Sequence, residues 1–235
     1  MTSKPVFNAR VVRWVVLALV ILDCALVLLG VVLTPTTIGA EGHGLLGVLA
    51  ALVMLASYGA LGTWGSRPLE KRHPGILSVG GWFGLFIGGL FALEMLVEYL
   101  FLPSSKGNEQ LAYVEFGGMF LFLFLSGFRG GQVTGRVGYG VLTALCSTLI
   151  GSLIWVFSLL STYYIFMGTA RQEQVLAADQ VFEDFKQSGM TDLRAFIMQD
   201  YLGGVFFHLL LGMVVAGILG FMGGLAAKLL KRRSS

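Results

Sequence analysis

Six long apolar runs restrict this sequence to one kind of fold. They cover about residues 11–33, 45–64, 76–102, 111–128, 139–166 and 202–225. A helix needs about 20 predominantly apolar residues to cross a bilayer, so each run is a candidate transmembrane helix. The sequence therefore predicts a single all-α membrane domain over residues 1–235, a helical bundle with six spans.

The composition and the prolines agree with this prediction. Hydrophobic residues make up 56% of the chain and charged residues only 12%, whereas about a quarter of an ordinary soluble domain is charged. All five prolines fall outside the predicted spans, where a missing N–H removes no helical hydrogen bond. We therefore expect largely unbroken helices, with the lipid bilayer as the principal partner.

The basic residues predict the orientation of the bundle, because Lys and Arg collect in the short cytoplasmic loops. Twelve of them fall at the start of the chain, after the second and fourth runs, and after the sixth run: Lys4, Arg10, Arg13, Arg67, Lys71, Arg72, Arg129, Arg136, Lys228, Lys231, Arg232 and Arg233. The other side holds four: Lys106, Arg171, Lys186 and Arg194. This distribution predicts that both termini lie on the cytoplasmic side of the cell membrane.

The second, fourth and sixth runs end in similar stretches, YGALGTWGSR, LSGFRGGQVTGR and ILGFMGGLAAK. Each is rich in glycine and then basic. Three helical hairpins that arose by duplication would explain the similarity. The general abundance of glycine, 33 residues, explains it equally well.

The longest connection, residues 168–200, lies on the outer side in this topology. Val175, Phe182 and Phe185 fall roughly on one helical face, and Gly189 is a natural helix stop. We expect an amphipathic helix on the outer surface. It would serve as a solvated connector or, alternatively, as a docking site for another protein.

Small residues recur at intervals of four in the third and sixth runs, which lets helix backbones approach closely. The third run has Gly80, Gly84 and Gly88, and the sixth has Gly204, Gly212, Ala216, Gly220 and Gly224. His208 occupies the missing place in the second series. Steps of four drift only about 40° around a helix, so we expect His208 to face protein. The stripes would pack helices within the chain, against a second copy, or against a partner subunit.

Acidic residues inside the apolar runs are the candidate binding residues. Asp23 lies near the middle of the first span, Glu94 and Glu98 in the outer part of the third, and Glu115 at the outer start of the fourth. An ionised carboxylate at the bilayer centre costs about 2.5–3.5 kcal/mol. Protonation, an aqueous cavity, or pairing with His208 or a bound cation would avoid that cost. The alternative is a structural hydrogen bond to a neighbouring helix.

Other classes of function lack the required residues. No glycine-rich phosphate loop, HExxH or CxxC motif is present, and the scattered basic residues suit lipid headgroups better than nucleic acid. A serine protease would need Ser126 near His208, yet the two lie at different predicted depths. Cys24 and Cys146 have no disulfide or zinc spacing. We expect no catalytic residues, no cofactor and no metal site.

The stretch GFRGGQVTGRVGYGVLTALCSTLIGSLI, followed by an outward helix and a glycine-rich final span, resembles a loose group of uncharacterised bacterial multi-span membrane proteins. The resemblance covers roughly the second half of the chain. It implies a bacterial origin and carries no assigned activity.

These observations lead to two hypotheses for function. The first is a transporter or permease-like protein for protons, cations or a small cationic solute, with an outward-facing polar vestibule lined by Asp23, Glu94, Glu98, Glu115 and His208. The second is a non-catalytic accessory or assembly subunit of a larger membrane complex, whose glycine stripes bind partner helices.

Overall fold

The fold was analysed in a computed structural model that describes residues 9–39, 44–101 and 105–233. All regular structure in these ranges is helical. Six of the described helices are long and apolar enough to cross a membrane. The all-α prediction is confirmed over the described part of the chain, and the six helices indicate a multi-pass membrane protein.

The helices follow one another with short connections. Helix α1 is Ala9–Leu33, and a 3-10 turn follows at Pro35–Ile38. Helix α2, Gly44–Ala60, continues through a π-helical turn, Leu61–Gly65, into α3, Ser66–Arg72. The remaining elements are α4 Pro74–Leu100, α5 Ser105–Thr134, α6 Val137–Phe166, α7 Ala170–Ala178, α8 Val181–Ser188 and α9 Leu193–Arg233.

Helix α6 is the centre of the bundle. Seven successive residues, 147–153, are buried, and at about 100° per residue such a run covers every side of a helix. One apolar core joins α6 to α1, α2 and α9. A second core joins α6 to α4, α5 and α9.

Contacts at the two ends of the bundle show which helix ends lie together. At one end Arg13 of α1 contacts Ser66 of α3, and the rings of His73 and Tyr139 lie 4.2 Å apart. We call this the basic end. At the opposite end Thr36 is hydrogen-bonded to Asp192, so the turn after α1 meets the start of α9.

Three elements differ from their predictions, and the first is α5, Ser105–Thr134, which extends beyond both ends of the predicted run 111–128. Helix α9 begins at Leu193 instead of Leu202, because Asp192 caps its first turn and Ala195 and Met198 are buried against the core. The amphipathic segment forms two helices instead of one, since Gln180 adopts a left-handed backbone conformation with φ of 62°. Residue 102, the predicted end of the third span, lies outside the described residues.

The predicted apolar face of the connector packs against the protein. Val175 is buried, and Phe182 contacts the core around α6. The ring of Phe185 lies 5.6 Å from that of Phe196 in α9. Gly189 ends α8 with φ of 72°, the left-handed conformation that glycine adopts without a steric penalty.

Candidate functional site

Four carboxyl groups from three elements meet at the end of the bundle opposite the basic end. Glu94 and Glu98 lie one turn apart on α4, Glu115 lies on α5, and Asp179 follows α7. Glu94 is within electrostatic range of Glu115 and Asp179, and Glu98 is within range of Glu94 and Asp179. We call these four residues the acid cluster.

The acid cluster combines buried and accessible groups. Glu98 and Glu115 are 8% and 7% exposed, whereas Asp179 is exposed. The side chains of Glu98 and Asp179 are hydrogen-bonded to each other. Asp179 therefore connects the surface to a carboxyl group that is otherwise buried.

Tyrosine side chains border the cluster. Tyr99, which follows Glu98 in α4, is hydrogen-bonded through its side chain to Tyr201 of α9. The rings of Tyr201 and Tyr163 lie 5.4 Å apart at a steep angle. The cluster is thus bounded on the α9 side by phenol groups.

Some polar atoms near the cluster have no hydrogen-bond partner within the described residues. They are Glu94 Oε2, Tyr163 Oη and Gln172 Nε2, all fully buried. Burying such an atom without a partner usually costs about 1–3 kcal/mol. This part of the bundle therefore has hydrogen-bonding capacity that the protein itself does not use.

Helix α7 is held against the cluster by specific contacts. The Arg171 guanidinium donates to the backbone oxygen of Tyr99, in the last turn of α4, where carbonyls lack helical partners. Thr169 caps α7 through a bond from Gln172 N at 3.2 Å, and Gln172 Oε1 accepts from Gly168 N at 2.9 Å. These bonds position Asp179 at the far end of α7.

His208 faces protein, as the spacing predicts, but its neighbours are aromatic. Its ring stacks on Trp155 at 3.9 Å with an interplanar angle of 11°, and Phe91 meets it edge-on at 5.2 Å. Phe91 precedes Glu94 by three residues, about 4.5 Å along α4. The structure thus places His208 nearly one turn deeper than the acid cluster, against an aromatic wall.

Asp23 is also separate from the acid cluster. Its side chain is 0% exposed, and neither carboxylate oxygen has a hydrogen-bond partner within the described chain. It lies on the buried face of α1 that otherwise carries Val12, Val16, Val20 and Val27. Of the five predicted binding residues, the structure brings together Glu94, Glu98 and Glu115.

Sequence reasoning missed Asp179, Tyr99 and Tyr201. Tyr99 adjoins Glu98 in the sequence, but tyrosine is common near membrane interfaces, so adjacency is a weak signal. Asp179 is one of several acids in the connector. The position of Asp179 beside Glu98 depends on the break between α7 and α8, and no pattern in the sequence predicts that break.

The predicted glycine stripes pack mostly within the chain. A Cβ at Gly80, Gly84 or Gly88 would lie 2.5–2.8 Å from side-chain atoms of α6. On α9, Gly220 and Gly224 approach α6 backbone, and Gly212 approaches Thr148 and Ser152 of α6. Gly204 differs from the others, since nothing lies within 4 Å of a Cβ placed there.

The acid cluster does not have the form of a metal centre. Within the described ranges, no three His, Cys, Asp or Glu side chains are grouped closely enough to hold a metal ion. Comparison with known proteins adds no assignment, because no family model, no curated protein and no solved structure matches this chain. The resemblance to uncharacterised bacterial proteins stays a prediction.

Proposed function

We propose that this protein is transporter-like and binds a proton, another cation or a small cationic solute at the acid cluster, from the outer side of a bacterial cell membrane. The observation that carries the proposal is the meeting of Glu94, Glu98, Glu115 and Asp179 from α4, α5 and the end of α7. Carboxyl groups within electrostatic range disfavour one another's charged forms. A proton or a cation between them relieves that repulsion.

The surroundings of the cluster favour a proton or an organic cation over a coordinated metal. Metal coordination would need a tighter group of ligands than the described side chains form. Phenol rings such as those of Tyr99 and Tyr201 attract cations through their π faces. Exposed Asp179 and buried Glu98 supply a short route inward from the surface.

The proposed orientation places the acid cluster outside and both termini in the cytoplasm. It is supported by the concentration of Lys and Arg near the basic end, where Arg13, Arg67 and Arg136 lie in or beside the contacting helix ends. Thiol labelling of single cysteines from each side of the membrane tests it. A cysteine replacing Glu173 should react from outside, and one replacing Lys231 from inside.

We infer a non-enzymatic role from the partners of the two residues that a hydrolase would need. Ser126 Oγ lies 2.6 Å from Ser147 Oγ, which in turn donates to the Thr143 carbonyl at 2.9 Å. His208 is stacked on Trp155. Each residue thus has a structural role without the other.

The accessory-subunit hypothesis has less support. That hypothesis requires the glycine stripes to bind a partner helix. The structure instead shows four of these glycines in close contact with α6 of the same chain: Gly80, Gly84, Gly88 and Gly220. Gly204 alone leaves open space. A partner helix would therefore have to use some other face.

Flux measurements in proteoliposomes test the proposal. A pH-sensitive dye inside the vesicles reports protons, and a panel of small amines tests organic cations through their effect on the melting temperature. Glu98→Gln should lower the proton flux, or the amine affinity that the melting temperature reports, by about tenfold or more. A tenfold change corresponds to the loss of about 1.4 kcal/mol of interaction free energy. Asp179→Asn should act in the same direction.

Glu173→Gln is the matched control, because Glu173 is an exposed acid on α7 that does not belong to the acid cluster. It should leave flux and stabilisation unchanged. The proposal is wrong if Glu98→Gln and Asp179→Asn both behave like the wild type. It is equally wrong if the wild type responds to neither a proton gradient nor any amine.

A further inference from the structure

An apolar cavity of about 160 Å³ lies near the basic end, far from the acid cluster along the bundle. Helices α1, α3, α4, α6 and α9 and the π-helical turn enclose it, with Val16, Gly62, Leu77, Cys146 and Met213 among its lining residues. In other proteins an apolar cavity of about 150 Å³ stays dry and holds a guest such as benzene, with about six carbon atoms. This cavity therefore suits a short length of hydrocarbon.

The π-helical turn makes room for the cavity. Such turns widen a helix locally and occur often at functional sites. Gly62 and Gly65, both in the turn, line the cavity. A Cβ at Gly62 would lie 2.5 Å from Val16, whereas one at Gly65 would meet only Leu61, at 3.9 Å. Helix α1 thus contacts the turn at Gly62 and leaves space at Gly65.

The cavity reaches the outside of the bundle. Leu61, which also lines it, is 54% exposed, and Gly65 is exposed. The exposed surface of a helix that crosses a membrane faces lipid. Acyl chains are therefore the apolar molecules next to this opening.

Charged groups lie directly beside the cavity. Arg13 Nε donates to Oγ of Ser66, a lining residue, at 3.0 Å, and the Arg13 guanidinium also pairs with Glu70. Glu70 offsets the charge of Arg13. The Arg13 contacts hold α1 and α3 together at the end of the cavity.

Three more basic residues lie close to these contacts in the sequence. Arg10 precedes Arg13 by three residues, about one turn further toward the end of α1. Arg67 and Lys71 adjoin Ser66 and Glu70 on α3, and the side chains of Arg10, Arg67 and Lys71 are all exposed. The ends of α1 and α3 beside the apolar cavity thus carry an excess of positive charge.

We propose that this cavity and its basic rim form a binding site for one anionic phospholipid of the adjacent leaflet. The phosphate would lie against Arg10, Arg67 and Lys71, and the first methylenes of one acyl chain would occupy the cavity. Basic pockets between transmembrane helices are known to bind anionic headgroups. In a phospholipid the charged headgroup is joined directly to the acyl chains, and here the basic residues lie next to the apolar cavity. The site is independent of the acid cluster.

Native mass spectrometry of the full chain in detergent tests this site. Dioleoyl phosphatidylglycerol is titrated against dioleoyl phosphatidylcholine, which has the same chains and no net charge. The wild type should retain one phosphatidylglycerol with a preference of about tenfold or more, since each nearby basic residue contributes about fivefold. Neutralising all three residues, with Arg10→Gln, Arg67→Gln and Lys71→Gln combined, should reduce that preference to about the level of phosphatidylcholine.

Cavity filling tests the acyl-chain contact. Gly65→Leu and, as a second variant, Leu69→Phe should each abolish the retained lipid. Gly89→Leu is the matched control, because nothing lies within 4 Å of a Cβ at Gly89, and it should retain the lipid. Elution volume and melting temperature show whether each variant is folded.

Three results would overturn the proposal. They are equal retention of the two lipids by the wild type, a preference that survives neutralisation of Arg10, Arg67 and Lys71 together, and full retention in a folded cavity-filled variant. The amine and proton assays of the acid cluster should be unchanged by Gly65→Leu.

Discussion

Replacing Asp23 by valine should stabilise the protein. The buried face of α1 carries valine at positions 12, 16, 20 and 27, and Asp23 interrupts this face with a side chain that is 0% exposed. Both carboxylate oxygens lack a hydrogen-bond partner within the described residues. Mutational data put the cost of burying an unpartnered polar group at about 1–3 kcal/mol, and Asp23→Val removes that cost with little change in side-chain volume.

The gain should appear as a higher melting temperature in detergent. For a chain of about this length, 1 kcal/mol corresponds to about 2–4 °C, so we expect an increase of about 2–12 °C. Valine and aspartate have similar helix propensities, so the exchange itself should cost little of this gain. Differential scanning fluorimetry with a thiol-independent dye measures the change.

Two further variants make the result interpretable. Asp23→Asn keeps the shape and the polarity of the side chain, so its melting temperature should stay close to that of the wild type. Leu22→Val introduces the same β-branched residue at a position that is 47% exposed, and it measures the helix-propensity cost alone. If Asp23→Val lowers the melting temperature by several degrees more than Leu22→Val does, then Asp23 has a stabilising partner and the reasoning is refuted.

The same variant also separates structure from function. Stabilising substitutions at functional sites commonly reduce activity. If Asp23 takes part in the proposed cation pathway, Asp23→Val should raise the melting temperature and abolish flux. If Asp23 has no such part, flux should follow the wild type.

Three further predictions follow from the packing and the helix ends. Gly220→Ala should destabilise the fold by about 1–3 kcal/mol, since its Cβ would lie 2.7 Å from Ala144. Gly204→Ala should be neutral or stabilising by up to about 1 kcal/mol, because the space around Gly204 is open. Thermal melts compare the two variants. The Thr36 hydroxyl, helped by backbone N–H groups of α9, holds the pKa of Asp192 below its ordinary value of 3.8. The stabilisation from Asp192 is therefore present above about pH 4 and is lost as the pH falls through the lowered pKa. The difference in stability between wild type and Asp192→Asn should disappear in acid. Equal differences at pH 3 and pH 7 would contradict this prediction. Arg171→Met should destabilise by about 1 kcal/mol through loss of its bond to the Tyr99 carbonyl, and unchanged proteolysis of the connector after α6 would contradict that role.

The candidate site could be predicted only in part. The turn spacing of Glu94 and Glu98, and the position of Glu115 at the same end of the bundle, follow from counting residues along apolar runs. Asp179 was not predicted, because its position depends on the left-handed conformation of Gln180 and on the docking of α7. His208 was placed on a protein-facing stripe correctly, yet its stacking on Trp155 depends on the rotation of α6.

The sequence by itself determined that the described part of the chain is all-helical with six helices long and apolar enough to cross a membrane, because crossing a bilayer requires about 20 apolar residues per helix whatever the neighbours are. It also determined how far apart two charged residues of one helix lie along its axis, since every residue advances the helix by about 1.5 Å. Only the tertiary structure decided which of these residues meet. Helix rotation and pairing depend on side-chain packing between segments far apart in the chain; this packing separates Asp23 from the acid cluster and opens the cavity beside Arg13.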